Sequence, residues 1–293
     1  MGGGPAAVQG AGALGKKKFC RNKGGNFMAS MQVHYFSYTF RSNILVHVFI
    51  PDLDNHENPS TSDLTKLYRH EKKFPAVYLL HGAYGDFNSW IHSSNIERWA
   101  QESGCALVTA SAENSFYQNM YRGKAWETFF AEELPAFASG LFPISDKRED
   151  SFTLGFSMGG YGAWFLALAH PDRFSKAASM SGALDIASLF RGIQQDTYAG
   201  PFPWKDIFEN PDNLEGSHAD LFALFQKCRD AGNAPKLFQT CGTEDFLYRM
   251  NTDVRDRMTA LGADLTYEES PGSHNWDFWD AQSRRILPWL LNK

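Results

Sequence analysis

The chain has 293 residues, of which 43% are hydrophobic, 21% charged and 15% aromatic, and its net charge is −5. That aromatic load with so little charge excludes intrinsic disorder for the bulk of the chain. No apolar run reaches the roughly 18 residues of a spanning helix, and the acidic balance speaks against a nucleic-acid partner, which needs a cationic face.

Residues 1–30 are rich in Gly and Ala and carry a basic cluster, Lys16–Lys18, followed by Phe-Cys-Arg-Asn-Lys rather than by the apolar core of an export signal. They read as a disordered leader, a non-native extension or a start upstream of a natural first residue at Met28 or Met31, and the expected location is cytoplasmic. From Met31 the pattern changes. Residues 32–40 and 43–50 are rich in β-branched and aromatic residues and flank a short connection at Arg41-Ser42, which predicts an antiparallel hairpin. After a polar stretch at 52–72, strand-like and helix-like segments alternate. Short apolar runs at 76–80 and 105–109 have the composition of strands buried on both faces, and 151–154, 174–180, 236–240 and 265–269 read as further strands. Helical segments fall at 95–103, 126–137, 161–170, 251–261 and 276–291, with Pro135 expected to kink or restart the second. Residues 184–230 break the rhythm with Pro201, Pro203 and Pro211 and one helical stretch at 218–229, as a cap inserted between strands would. The expectation is one α/β domain over residues 31–293: a mostly parallel sheet with an N-terminal antiparallel hairpin, helices on both faces and a small cap.

The strongest chemical signal is Gly155-Phe-Ser157-Met-Gly159. A strand (SFTL) precedes it and an apolar helix (YGAWFLALAH) follows it, the context in which a strand-to-helix turn presents a nucleophilic serine, with glycines two residues to either side permitting close approach. Such a serine needs a base and an orienting carboxylate, both later in the chain and just past strand ends. Asp245 follows strand 236–240 and His274 follows strand 265–269, so the order Ser157, Asp245, His274 is satisfied. Glu244, adjacent to Asp245, is the rival acid. The other histidines fit less well: His34 and His47 alternate within the hairpin, His170 ends a helix before Pro171, and His56, His70, His92 and His218 lie in polar stretches without a signal. Acyl transfer also needs donors for a developing oxyanion. Backbone N–H groups of Met158, just after the nucleophile, and Ala83, in the loop after the third strand, suit that role, with His81 reading as a turn-former rather than a base. Among the loop aromatics, Trp90 and Tyr117, with Asn119, are the expected substrate contacts. Cys20, Cys105, Cys228 and Cys241 share no ligand spacing and read as small buried hydrophobes; no metal or cofactor is expected.

The segments LLHGAYGDFNSW, NSFYQNM, ELPAF, GFSMGGYGAWFLAL, HPDRF, GTEDFLY and GSHNWDFWD together resemble the esterase D-type branch of the α/β-hydrolases. The likeness is strongest to bacterial tributyrin, acetyl and feruloyl esterases, and more distant to S-formylglutathione hydrolases and mycolyltransferases. It covers about residues 31–293. The resemblance implies an α/β-hydrolase fold, a Ser157–His274–Asp245 triad, an oxyanion hole at Ala83 and Met158, a small cap, and hydrolysis of short acyl or cinnamoyl esters. GAYGDFNSW stands where the glutathione-thioester branch carries a Cys-bearing segment, which lowers S-formylglutathione as a substrate. An acyltransferase on the same triad and a binding protein with a vestigial triad are the alternatives. The expected partner is a small ester, with no nucleic acid and no membrane, and a homo-oligomer is plausible from the aromatic surface.

Overall fold

In a computed structural model, which describes residues 1–2, 28–51, 73–195 and 202–293, β1 (Ala29–Ser37) pairs antiparallel with β2 (Ser42–Ile50) along its whole length. The hairpin thus begins two residues before the expected domain start, and most of the expected leader lies outside the described residues. The turn is also wider than Arg41-Ser42. It spans residues 38–41, and Glu133 supplies what a two-residue turn would not require, accepting the N–H groups of Tyr38 (2.9 Å) and Thr39 (2.8 Å) and the Ser37 hydroxyl (2.9 Å).

The other strands are β3 (Ala76–Leu80), β4 (Ala106–Ala110), β5 (Ser151–Phe156), β6 (Lys176–Met180), β7 (Lys236–Gly242) and β8 (Leu265–Ser270). They form one sheet in the order β1-β2-β4-β3-β5-β6-β7-β8, antiparallel between β2 and β4 and parallel from β4 to β8. Strands β3 to β7 are buried almost throughout because helices cover both faces. In β3, Ala76, Tyr78 and Leu80 belong to the core on one face, and Val77 and Leu79 to the core on the other.

The helices among the described residues are α1 (Ser89–Ser93), α2 (Ile96–Ser103), α3 (Trp126–Thr128), α4 (Leu134–Leu141), α5 (Met158–Ala169), α6 (Ile186–Gln195), α7 (Trp204–Ile207), α8 (Leu221–Asp230), α9 (Tyr248–Ala260) and α10 (Trp276–Leu290). The helix expected to kink or restart at Pro135 instead runs on: a π-helical turn (Phe129–Glu133) joins α3 to α4 through continuous helical backbone, with Leu134 N–H donating to Phe129 O, and Pro135 lies just past this widened turn. Helix α5 is apolar all round and buried nearly end to end; Thr153 Oγ1 donates to Ala163 O, and Trp164 Nε1 to Phe238 O, tying it to the sheet. Of the expected cap, α6 and α7 were not visible as separate helices. Trp204, Phe202 and Phe208 of this stretch pack as one aromatic group against Phe116. Cys105, Cys228 and Cys241 are free and buried.

One buried charge ties the 214–220 loop to the core. Glu127 Oε1 lies 2.8 Å from His218 Nε2 and 3.0 Å from His170 Nε2. Burial works to raise the Glu127 pKa, but the hydrogen bonds and charges of the two imidazoles outweigh it and lower the value from 4.5 to about 2. The same bond raises His218 above 6.5. The carboxylate's stabilisation is therefore complete above about 4.5 and is lost as pH falls toward 2, while that of His218 is complete below about 6.5 and is lost as pH rises through its elevated value. Glu127→Gln should lower Tm by roughly 2–6 °C between these limits, discounted because His218 is half exposed, and by less at pH 8.5. Thermal melts across pH check this; an equal loss at pH 5.5 and 8.5 would show that packing, not the charge pair, is responsible.

Candidate active site

The site begins with a strained turn. Ser157 joins β5 directly to α5 at φ 55° and ψ −121°, a conformation costing on the order of 1–3 kcal/mol for a residue with a side chain. The turn is held from both sides: Ser157 N–H donates to Met180 O (2.9 Å), and Ser157 O accepts from the N–H groups of Gly160, Tyr161 and Ala183. The flanking glycines are needed for space. A Cβ at Gly155 would lie 2.0 Å from Gly159 O, and one at Gly159 would lie 2.2 Å from Leu80 O.

Strand order then gathers the remaining groups. β3 lies between β4 and β5, so the connection leaving β3 (to β4) and the one leaving its neighbour β5 (to β6) run to opposite sides and open a crevice at the carboxyl ends of these two strands. Leu80 pairs with Gly155, which sets His81 and Gly82 beside Phe156 and Ser157. At the neighbouring strand ends Gly242 pairs with Ser270, and the two following loops bring Asp245 and His274 together. His274 Nε2 lies 2.9 Å from Ser157 Oγ, and its Nδ1 lies 2.9 and 3.1 Å from the two Asp245 carboxylate oxygens. The Asp245 side chain is fully buried. Burial alone would raise its pKa; hydrogen bonds from His274, Leu247 N–H and Ser181 overcome this and hold the carboxyl below its ordinary range. Glu244 is turned away, accepting from Gly272 N–H and Thr243 Oγ1 at the surface. Of the two adjacent acids, Asp245 is the one bonded to His274.

Ser181 was missed from sequence. It follows β6 at φ 48°, accepts from Trp279 Nε1 (3.0 Å) and helps to hold the Asp245 carboxyl below its ordinary range. Nothing local marks it, because its role depends on α10 folding back over the end of β6.

Ser157 and His274 open into a cavity of about 480 Å³, which Ala83 and Met158 also line. Neither the Ala83 nor the Met158 N–H has an acceptor among the described residues. The walls include Tyr84, Phe116, Phe156, Phe202, Phe246, Trp276 and Trp279, with Leu189 and Leu247; no Lys, Arg, Asp or Glu is among the described lining residues. The expected substrate contacts require correction. Trp90 is fully buried behind the wall, its Nε1 donating to Leu80 O and its ring edge-on to Phe156 and Trp276. Tyr117 is equally buried, under Gly162, with its hydroxyl donating to His81 O (2.9 Å). Asn119 caps α3 through Thr128. Their loops do flank the nucleophile, but the residues of those loops that line the cavity include Ala83, Tyr84 and Phe116. No group of three or more metal-binding side chains occurs among the described residues, and no described helix is long and apolar enough to cross a membrane.

The model of the Esterase family matches residues 59–290. The chain belongs to that family. This esterase is 31% identical over 268 residues to an acetyl esterase of Caldicellulosiruptor saccharolyticus, covering 90% of its own length and 98% of the relative's. Among solved structures it is similar to the fluorophosphonate-binding serine hydrolase F of Staphylococcus aureus (29% identity, TM-score 0.80, covering 91% and 99% of the two chains). It is also similar to an S-formylglutathione hydrolase of the same organism (28% identity, TM-score 0.76, covering 90% and 99%). The esterase has the α/β-hydrolase fold, as its sequence motifs implied, and is a carboxylesterase by class.

Proposed function

We propose that this esterase hydrolyses neutral esters of short acyl or cinnamoyl acids through an acyl-enzyme on Ser157. The observation that carries the reading is the Ser157–His274–Asp245 chain of hydrogen bonds at the wall of an uncharged aromatic cavity. His274 Nε2 takes the hydroxyl proton as Ser157 Oγ attacks the carbonyl carbon, and the oxygen becomes an anion facing the Ala83 and Met158 N–H groups. Collapse expels the alcohol, which leaves with the proton held on His274. Water, deprotonated by the same nitrogen, then attacks the acyl-enzyme and frees the acid. Asp245 keeps the imidazole proton on Nδ1 and stabilises the imidazolium. The lining also supports the choice of substrate. A flat or short apolar acyl group loses nothing on entering, whereas the charged glutathionyl part of S-formylglutathione finds no countercharge among the described lining residues.

A panel of p-nitrophenyl and methyl esters tests this. Acetyl, butyryl and feruloyl esters should be turned over, and a succinyl ester poorly. Phe116→Ala should raise relative kcat/KM for longer acyl chains by about tenfold, with Asn119→Ala unchanged. S-formylglutathione preferred over all esters, or transfer to an added alcohol exceeding hydrolysis, would replace this reading with the thioesterase or the acyltransferase.

A further inference from the structure

The buried histidine beside the nucleophile has a bonding pattern that a mere turn-former does not need. His81 is fully buried, and its two ring nitrogens have different partners. Ala112 N–H donates to Nε2 at 2.8 Å, so Nε2 carries no proton. In the neutral ring the proton is then on Nδ1, which donates to Gly82 O at 2.7 Å. Burial favours that neutral ring, lowering the His81 pKa. Gly82 O also accepts Gly85 N–H at 3.2 Å, and Tyr117 Oη donates to His81 O at 2.9 Å, so the peptide units on both sides of Gly82 are anchored.

Gly82 C=O and Ala83 N–H belong to one peptide unit. That unit is rigid and planar, so fixing the direction of its carbonyl fixes the opposite direction of its N–H. A donor bonded to the carbonyl also polarises the amide and strengthens the N–H as a donor. Ala83 N–H has no protein acceptor among the described residues, and Ala83 lines the cavity with Ser157.

We propose that His81 is a positioning residue for ester hydrolysis, acting through the Gly82 carbonyl to aim and polarise the Ala83 N–H toward the oxyanion of the transition state. The proposal rests on the reading of Ser157 as nucleophile and Ala83 as oxyanion donor.

Two substitutions separate the two bonds of the ring. Asn places its Nδ2–H close to the position of Nδ1–H and keeps the donor to Gly82 O. Gln places its Oε1 close to Nε2, keeping the acceptor for Ala112 N–H and losing the donor. Losing an oxyanion donor outright costs about 10²–10³ in kcat. His81→Gln and His81→Ala, which leave the donor present but loosely aimed, should lower kcat on p-nitrophenyl acetate by about 10–100-fold. KM should stay within about twofold, and affinity for a trifluoromethyl ketone, which forms an oxyanion adduct on Ser157, should fall by the same factor as kcat. His81→Asn should stay within about fivefold of wild type. Asn no better than Gln, or losses that follow Tm and spread equally over kcat and KM, would overturn the proposal. A second measurement needs no variant. In the wild-type protein the His81 Nδ1–H proton resonance should move downfield when the ketone adduct forms, and an unmoved resonance would overturn it. A wild-type enzyme that neither hydrolyses esters nor forms the adduct would instead remove the reading of Ser157 on which the proposal stands.

Discussion

Replacing Ser157 with Ala should lower kcat on p-nitrophenyl acetate by on the order of 10⁵–10⁶, with the protein still folded. The substitution removes one oxygen and nothing else. The Cβ and the backbone bonds that hold the strained turn remain, so circular dichroism and Tm should be close to wild type. No neighbour can take over the attack. Ser89 is the other aliphatic hydroxyl among the described lining residues, but its Oγ accepts Asp86 N–H at 3.0 Å in a surface turn, with no imidazole bonded to it. The residual rate should come from the oxyanion donors and from binding. A serine-directed fluorophosphonate should label the wild type and leave Ser157→Ala unmarked. Turnover within tenfold of wild type, or labelling retained, would place the nucleophile elsewhere.

How much of this was legible without coordinates depended on whether the signal was local. The Gly155–Gly159 turn announces itself because strand, nucleophile, glycines and helix are contiguous, and the space those glycines leave is just what the packing consumes. Asp245 and His274 were expected by position, each in a loop past a strand end, with Glu244 as the rival acid. What the sequence did not show is why the two adjacent carboxylates differ: the Gly272 N–H holds Glu244 away at the surface, while Asp245 is bonded to His274. The substrate wall was misjudged for a related reason. Consecutive residues of a loop can point to opposite sides, so Phe116 faces the cavity while Tyr117 turns beneath His81, and both sit at positive φ, which no pattern of side-chain types foretells. The pairing of His170 and His218 with Glu127 was not legible because that shared partner is remote in sequence.

Asp245→Asn should lower kcat by about 10⁴, whereas Glu244→Gln should change it by less than about threefold. The asymmetry follows from which atom each side chain presents. As a carboxylate Asp245 is acceptor only, so the proton between it and His274 must reside on Nδ1, and the Nε2 lone pair is left facing Ser157 Oγ. An Asn at 245 satisfies its buried oxygen with Leu247 N–H, as Asp245 Oδ1 does at 2.8 Å, and turns its NH₂ toward the ring. The imidazole then accepts at Nδ1 and carries its proton on Nε2, where it cannot take the hydroxyl proton. The substitution also removes the negative charge that stabilises the imidazolium, so binding should survive while chemistry fails: KM should hold within a few-fold, and the loss should fall on kcat. Glu244 has no path to the same effect. Its side chain is at the surface, and Gln retains an oxygen for the Gly272 N–H. Steady-state kinetics of the two single variants, with fluorophosphonate labelling rates alongside, decide the matter. A loss near 10⁴ in Glu244→Gln with Asp245→Asn near wild type would transfer the orienting role to Glu244 and require the 243–246 loop to rearrange when substrate binds.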